Sequence, residues 1–173
     1  MNLERNVKAA FLYKFLGYVD YPQAAAPAAG EPLVIAVLFA DEVAEKLARI
    51  SAGRSMHGRA VAVRKVRAGE SPGRVHMLFI GDGDAGEVEK ALAAVRQAPV
   101  LTVTETARNL RHDSVIKFRV VDERVRFEVS LDAAEKSNLK LSSRLLAVAY
   151  KVQRSGRQEA GSRAMGFSGR LVT

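Results

Sequence analysis

The chain has 173 residues, with 27 Lys and Arg against 19 Asp and Glu for a formal net charge of +8, and it contains neither Cys nor Trp. At 48% hydrophobic it is too apolar for a disordered chain, and it is long enough for one domain with a real core. The lack of Cys excludes disulfides, thiolate metal sites and cysteine nucleophiles, and no apolar run approaches the roughly 18–20 residues of a membrane helix. The basic balance makes nucleic acid or an anionic surface the first partners to weigh. Residues 154–173, however, hold four Arg and one Glu, so +3 of the charge belongs to that stretch and +5 to residues 1–153. The other cations are scattered, with no aromatic-interleaved basic stripe of the kind that stacks bases. A solvated basic surface, with no nucleic-acid partner, is the expectation.

In chain order, Leu3, Val7, Ala10, Phe11, Phe15, Tyr18 and Val19 recur near the helical period and predict an amphipathic opening helix stopped by Pro22. Pro22, Pro27 and Pro32 then punctuate a loop. The apolar run 33–39 reads as a strand covered on both faces. Asp41 is placed to cap a following helix whose inner residues are Val43, Leu47 and Ile50. Strands are predicted over 60–66 and 75–80, the second closed by Gly81-Asp82-Gly83, and a helix over 87–97 with Val88, Leu92 and Val95 inward. A strand starts at Pro99, Thr104 is placed to cap a short helix through Leu110, and His112-Asp113-Ser114 forms a turn. Two strands, 115–121 and 124–130, flank Asp122-Glu123 as a hairpin. The stretch 130–152 reads as helical with a break near Asn138, capped by Ser130 or Asp132 and again by Ser142. This alternation predicts a three-layer α/β/α sandwich with a mixed, mainly parallel sheet of about six strands. The domain should span 1–153, followed by a basic flexible tail at 154–173.

Ligands in α/β proteins gather at strand ends. There the sequence offers Asp41 and Glu42, Asp82 and Asp84, and Thr102 or Thr104, with Lys117 on the next strand. The order echoes a phosphoacceptor receiver domain, in which carboxylates hold Mg²⁺. The organisation argues against it: a helix precedes the first strand, 67–74 leaves no room for a crossover helix, and Lys117 lies mid-strand. His57, His76 and His112 have no metal-ligand spacing to one another, and no nucleophile elbow or phosphate loop occurs. His76 sits in an apolar run and reads as a core histidine. Catalysis and cofactors therefore have no warrant. The remaining polar feature is 139–146, where Lys140, Ser142 and Arg144 flank an expected kink in the helix. Exposed N–H groups and two cations there could take an anion, while the plainer reading makes Ser142 a cap and Arg144 an ion-pair partner.

At these residues the chain resembles the YfiR-like family. Four blocks carry the likeness: VKAAFLYKFLGYVDYP at 7–22 (with Tyr21 where Trp is usual), VHMLFI at 75–80, PVLTVTE at 99–105 and VRFEVSLDAAEKSNLKLSSRLLAVA at 125–149. The resemblance implies an α/β/α sandwich that pairs as a homodimer and works in the periplasm, so the leader would have been removed and Met1 added. It implies a non-enzymatic regulator that binds the periplasmic domain of an inner-membrane diguanylate cyclase and represses it, so controlling cyclic-di-GMP and biofilm formation. An outer-membrane lipoprotein would be a second partner. Lys140, Ser142 and Arg144 are the residues to which a ligand site would carry over. The alternative is a small-ligand sensor serving a histidine kinase. Relatives that carry disulfides cannot be followed here, and Asp113-Ser114 stands where the family pattern has glycines.

Overall fold

A computed structural model of the chain describes residues 2–23, 27–105 and 113–154. Helix α1 (Asn2–Leu16) leads to a two-residue strand β1 (Val19–Asp20), then β2 (Leu33–Leu38), α2 (Asp41–Ser51), β3 (Ser55–Met56), β4 (Arg59–Val66) and β5 (Met77–Ile80). There follow α3 (Ala85–Ala94), β6 (Leu101–Glu105), β7 (Ile116–Val121), β8 (Arg124–Ser130), α4 (Leu131–Lys136), β9 (Lys140–Leu141), α5 (Ser143–Val148) and β10 (Lys151–Gln153). Eight strands form one sheet in the order β10-β8-β7-β6-β5-β2-β4-β3, and β1 pairs with β9 as a separate antiparallel ribbon. Only β7 with β8 and β3 with β4 are antiparallel in the large sheet; its other pairings are parallel.

The predicted mainly parallel α/β sandwich is what forms. The sheet exceeds the expected six strands because β3 and β10, of two and three residues, extend its two edges. Such short strands carry too few residues for a period-2 signal. From β2 the chain crosses through α2 to β4, while from β5 it crosses through α3 to β6 on the opposite side. Right-handed crossovers in opposite directions put α2 and α3 on opposite faces. One core lies under α1, α2, α4 and α5, the other under α3.

The first core is held by aromatics. Phe11 and Phe15 of α1 meet Phe118 of β7 and Phe127 of β8, the Phe15 and Phe127 rings being 4.9 Å apart edge-to-face, and Phe79 of β5 joins through Phe118. The buried stripe of α1 is Lys8, Ala9, Leu12, Tyr13, Phe15 and Leu16, whereas Leu3 is 74% exposed and Val7, Ala10 and Phe11 are half-buried. The predicted face is thus rotated. The helix packs against α2 as well as the sheet, and a buried cation occupies a position that a hydrophobicity pattern leaves blank.

Several local expectations change. Ala40, not Asp41, occupies the position before α2; no side chain caps that helix, and Asp41 is its first residue. Thr104 lies within β6 and its hydroxyl meets Ser114 at 2.7 Å. The short helix expected through Leu110 falls outside the described residues, as do His112 and the tail beyond Arg154. Asn138, at φ 58°, breaks the C-terminal helix as expected. The chain then runs extended through β9 and, after α5, into β10, where a continued helix was expected. Pairing with β1 and β8 overrides helix propensity there. The Asp122-Glu123 hairpin forms without glycine, both residues being left-handed at φ 51° and 65°. Acidic side chains tolerate that conformation at tight turns better than branched ones.

Candidate functional site

Two places in this fold gather polar chemistry. The first is the crevice at the carboxyl ends of β2 and β5, the point where the crossovers diverge and where doubly wound folds bind ligands. Phe39 ends β2 in a left-handed conformation at φ 62°. Its ring lies so close over Gly83 that any Cβ there would overlap it, which accounts for the Gly81-Asp82-Gly83 sequence. Lys8, Asp41, Glu42, Asp82 and Glu105 line the opening, about 360 Å³ in volume.

Its chemistry is largely spent internally. The Lys8 ammonium, on a residue 5% exposed, lies 2.6 Å from Glu4 Oε2 and 2.8 Å from Glu105 Oε1. Burial by itself would lower the Lys8 pKa, but the hydrogen bonds to Glu105 and Glu4 outweigh it and hold Lys8 above its ordinary value. The hydrogen bond from Lys8 holds Glu4 below its own. Of the receiver-like residues, Asp41, Glu42 and Asp82 line the opening, but Asp84, Thr102, Thr104 and Lys117 do not join them. Asp84 accepts from the Glu87 amide at 3.0 Å as the N-cap of α3. Thr102 accepts from the Val115 amide at 2.9 Å, and Thr104 donates to Ser114, whose own proton goes to the Ile116 carbonyl at 3.1 Å. Lys117 lies across from Thr104 in β7, away from the crevice lining, and burial pushes its pKa down. Among the described residues no three of His, Asp and Glu stand together as metal ligands.

His76 is a core histidine as expected. Its Nδ1 accepts from the Val34 amide at 3.0 Å, and its carbonyl accepts from the Tyr21 hydroxyl at 2.6 Å. The two rings stack at 5.7 Å, and burial pushes the Tyr21 phenol far above its usual range. This pair ties the segment after β1 to the start of β5. Nothing in the local sequence around Tyr21 signals it, since the partners are 55 residues apart.

The second place comprises the β1–β9 ribbon, α5 and the β10 edge of the large sheet. Lys140 lies in β9 opposite Asp20, Ser142 follows, and Arg144 lies in the first turn of α5. Ser142 accepts from the Arg144 amide at 3.0 Å, and its own amide donates to the Tyr18 carbonyl at 2.8 Å, so it both caps α5 and closes the ribbon. The Lys140 and Arg144 side chains are exposed. A ribbon with a following cap, in place of a kinked helix, therefore carries the three expected residues.

Beyond α5 the chain turns back to the sheet, the Tyr150 amide donating to the Phe127 carbonyl at 2.8 Å to start β10. Arg154 fastens the end of β10 to Glu135 of α4 at 3.1 Å. Val148, Tyr150 and Val152 are 63%, 48% and 40% exposed, and Val120 on nearby β7 is 54% exposed. Among the described residues the other exposed large apolar side chain is Leu3, in the first turn of α1. Apolar side chains along an open strand edge mark a surface suited to a partner. The strand edge is not legible in the sequence, where 130–152 reads as helical.

A family model described as YfiR/HmsC-like matches residues 5–150. The chain belongs to that family. The match runs from α1 to the residue before β10, so it takes in the crevice and Lys140, Ser142 and Arg144 but not β10 itself. No curated protein matches the chain. Membership in the YfiR/HmsC-like family supports a regulatory role over a catalytic one, and among the described residues no helix is long and apolar enough to cross a membrane.

Proposed function

We propose that the chain is a periplasmic regulator that binds and represses an inner-membrane signalling protein, of the diguanylate cyclase type, and so controls cyclic-di-GMP and biofilm formation. The YfiR/HmsC-like match over residues 5–150 is the observation that carries this reading. The exposed apolar edge at Val148, Tyr150 and Val152 supports it, because a protein that acts by docking needs a surface its own fold leaves open. Repression would work by differential binding. Docking on the partner's periplasmic domain favours its inactive state, and a competing partner such as an outer-membrane lipoprotein reverses that by sequestration. A homodimer is the working assembly in this reading. Lys140, Ser142 and Arg144 serve as a small-anion site that would tune docking, with Arg144 and Lys140 supplying charge and Ser142 holding the turn.

Immobilising the periplasmic domain of a cyclase encoded beside this chain tests the central claim. Retention of the full chain at low salt, with lowered cyclase output when both are produced together, is expected. Free passage of the chain over that domain overturns the reading. For the anion site, calorimetry with inorganic phosphate should show binding to the natural chain that Lys140→Ala/Arg144→Ala loses. Equal heats from both would remove these residues from the proposal.

A further inference from the structure

We propose that the solvent face of β7, β8 and β10 is the docking surface for an acidic protein partner, with Arg119, Arg126 and Tyr150 at its centre. Phe118 and Phe127 are turned into the core under α1, so strand alternation turns Lys117, Arg119, Arg124, Arg126 and Glu128 to the other face. Register sets Arg119 directly opposite Arg126, and Lys117 and Lys151 on either side of Glu128. Among the described residues five cations, of which Lys117 is half-buried, thus share this face with one carboxylate. Of the other acids, Asp122 and Glu123 form the hairpin turn beyond the last pair, and Asp113, which precedes β7, acts on Lys117 at the margin of the face.

Glu128 is already occupied, ion-paired to Arg119 and accepting from Gln153 Nε2 at 3.3 Å. Arg124, Arg126 and Lys151 are exposed and form no ion pair among the described residues. Like charges directly opposite across two strands cost stability, and the free chain draws nothing from the Arg119–Arg126 pair that a neutral side chain would not give. A carboxylate between the two guanidinium groups turns that repulsion into charge-assisted, two-pronged hydrogen bonds. Arg119 is also steadied in advance, its guanidinium carbon 5.2 Å from the Tyr150 ring centroid.

The charge argues against a second copy as the occupant, since two such faces repel. It also argues for a protein over a lipid surface. Val152 lies beside Val129, on the sheet face opposite the cations, so a flat bilayer cannot meet the basic plane and the apolar edge together. A protein that wraps the β10 edge can reach both. Arginine and tyrosine side chains in one patch match the composition of interface centres.

This inference rests on the regulator reading, and the experiment separates the two. The full chain carrying Arg124→Glu, Arg126→Glu and Lys151→Glu is compared with a control reversed at Arg49, Lys90 and Arg96, on or just after α2 and α3. Each is titrated with the cyclase periplasmic domain and, separately, with a poly-Glu peptide followed by backbone amide NMR shifts. For the first variant, affinity for the domain should fall at least about tenfold while the control changes less than about twofold. Peptide-induced shifts in the natural chain should centre on β7, β8 and β10. Equal loss in variant and control overturns the docking face and leaves the regulator reading in place. If the domain fails to bind the natural chain, the regulator reading falls, and the peptide shifts then decide: shifts centred on this face sustain an acidic partner of another kind, and shifts elsewhere or none overturn it. Flotation with phosphatidylglycerol vesicles that the first variant abolishes, without any domain or peptide binding, overturns the protein assignment in favour of a membrane.

Discussion

Two regions of the sheet treat charge in opposite ways. At the carboxyl ends of β2, β5 and β6, a buried cation is answered by two carboxylates, and the crevice around it is bound into the fold. On the solvent face of β7, β8 and β10, cations face cations and the one carboxylate among them, Glu128, is paired to Arg119. Internal pairing stabilises the first region and leaves it little to offer a ligand. The second lacks internal compensation, and its energy is recovered only when something negative arrives. Where a fold leaves charge unanswered is a better guide to binding than where charged residues are most numerous.

Four changes sharpen that contrast. The largest effect should come from Phe15→Ala, which empties the centre of the aromatic cluster that α1 lays over β7 and β8. A loss of about 3–5 kcal/mol is expected in urea unfolding, with both regions failing together because α1 supports each.

Lys8→Met comes next. It leaves Glu4 and Glu105 facing each other without their cation, and since both keep contact with water the loss should be about 2 kcal/mol, less than for a fully enclosed pair. The pH dependence separates this cause from a packing fault. Glu4 has a lowered value in the folded state, so its contribution is complete above the ordinary 4.5 and is lost as pH falls through the lower folded value. Lys8 has a raised value, so its contribution is complete below the ordinary 10.5 and is lost as pH rises through the higher folded value. Thermal unfolding of the natural chain should therefore weaken in both windows, and Lys8→Met should flatten both slopes.

Ser130→Ala removes the hydroxyl that accepts from the Ala133 amide at 3.1 Å at the start of α4, and about 1 kcal/mol should go with it. Arg126→Glu should have the smallest effect on stability and the opposite sign. It replaces a like-charge pair with an Arg119–Glu pair and should raise the melting midpoint by a few tenths of a kcal/mol equivalent. A fall in midpoint would show that Arg126 has a structural role, and the contrast between the two regions would then fail.

Much of the layered architecture was legible in the chain. The runs at Leu33–Leu38 and Met77–Ile80 are apolar without alternation, as strands covered on both faces must be, and Val88, Leu92 and Val95 mark the inner face of α3 at helical spacing. The hairpin between β7 and β8 was visible from two alternating runs around two residues. The candidate surface was far less visible. Residues 139–153 contain good helix formers, and only pairing partners distant in sequence, β1 for Lys140-Leu141 and β8 for Lys151–Gln153, make them extended. The Arg119–Arg126 juxtaposition does not show in composition, but it is implicit in the register that a two-residue loop at Asp122-Glu123 imposes.

The sequence by itself determined the class of fold, the polarity of its layers and the family, because hydrophobic periodicity and local turn chemistry act over a few residues. Tertiary structure decided which face of α1 is buried, where the edge strands lie and which charges meet. Those outcomes depend on contacts between segments far apart in the chain, where desolvation and pairing of individual groups outweigh local preference. The overall charge of +8 could not say where positive charge is unanswered. The ladder of β7 and β8 can, because pairing across strands fixes which side chains must share a face.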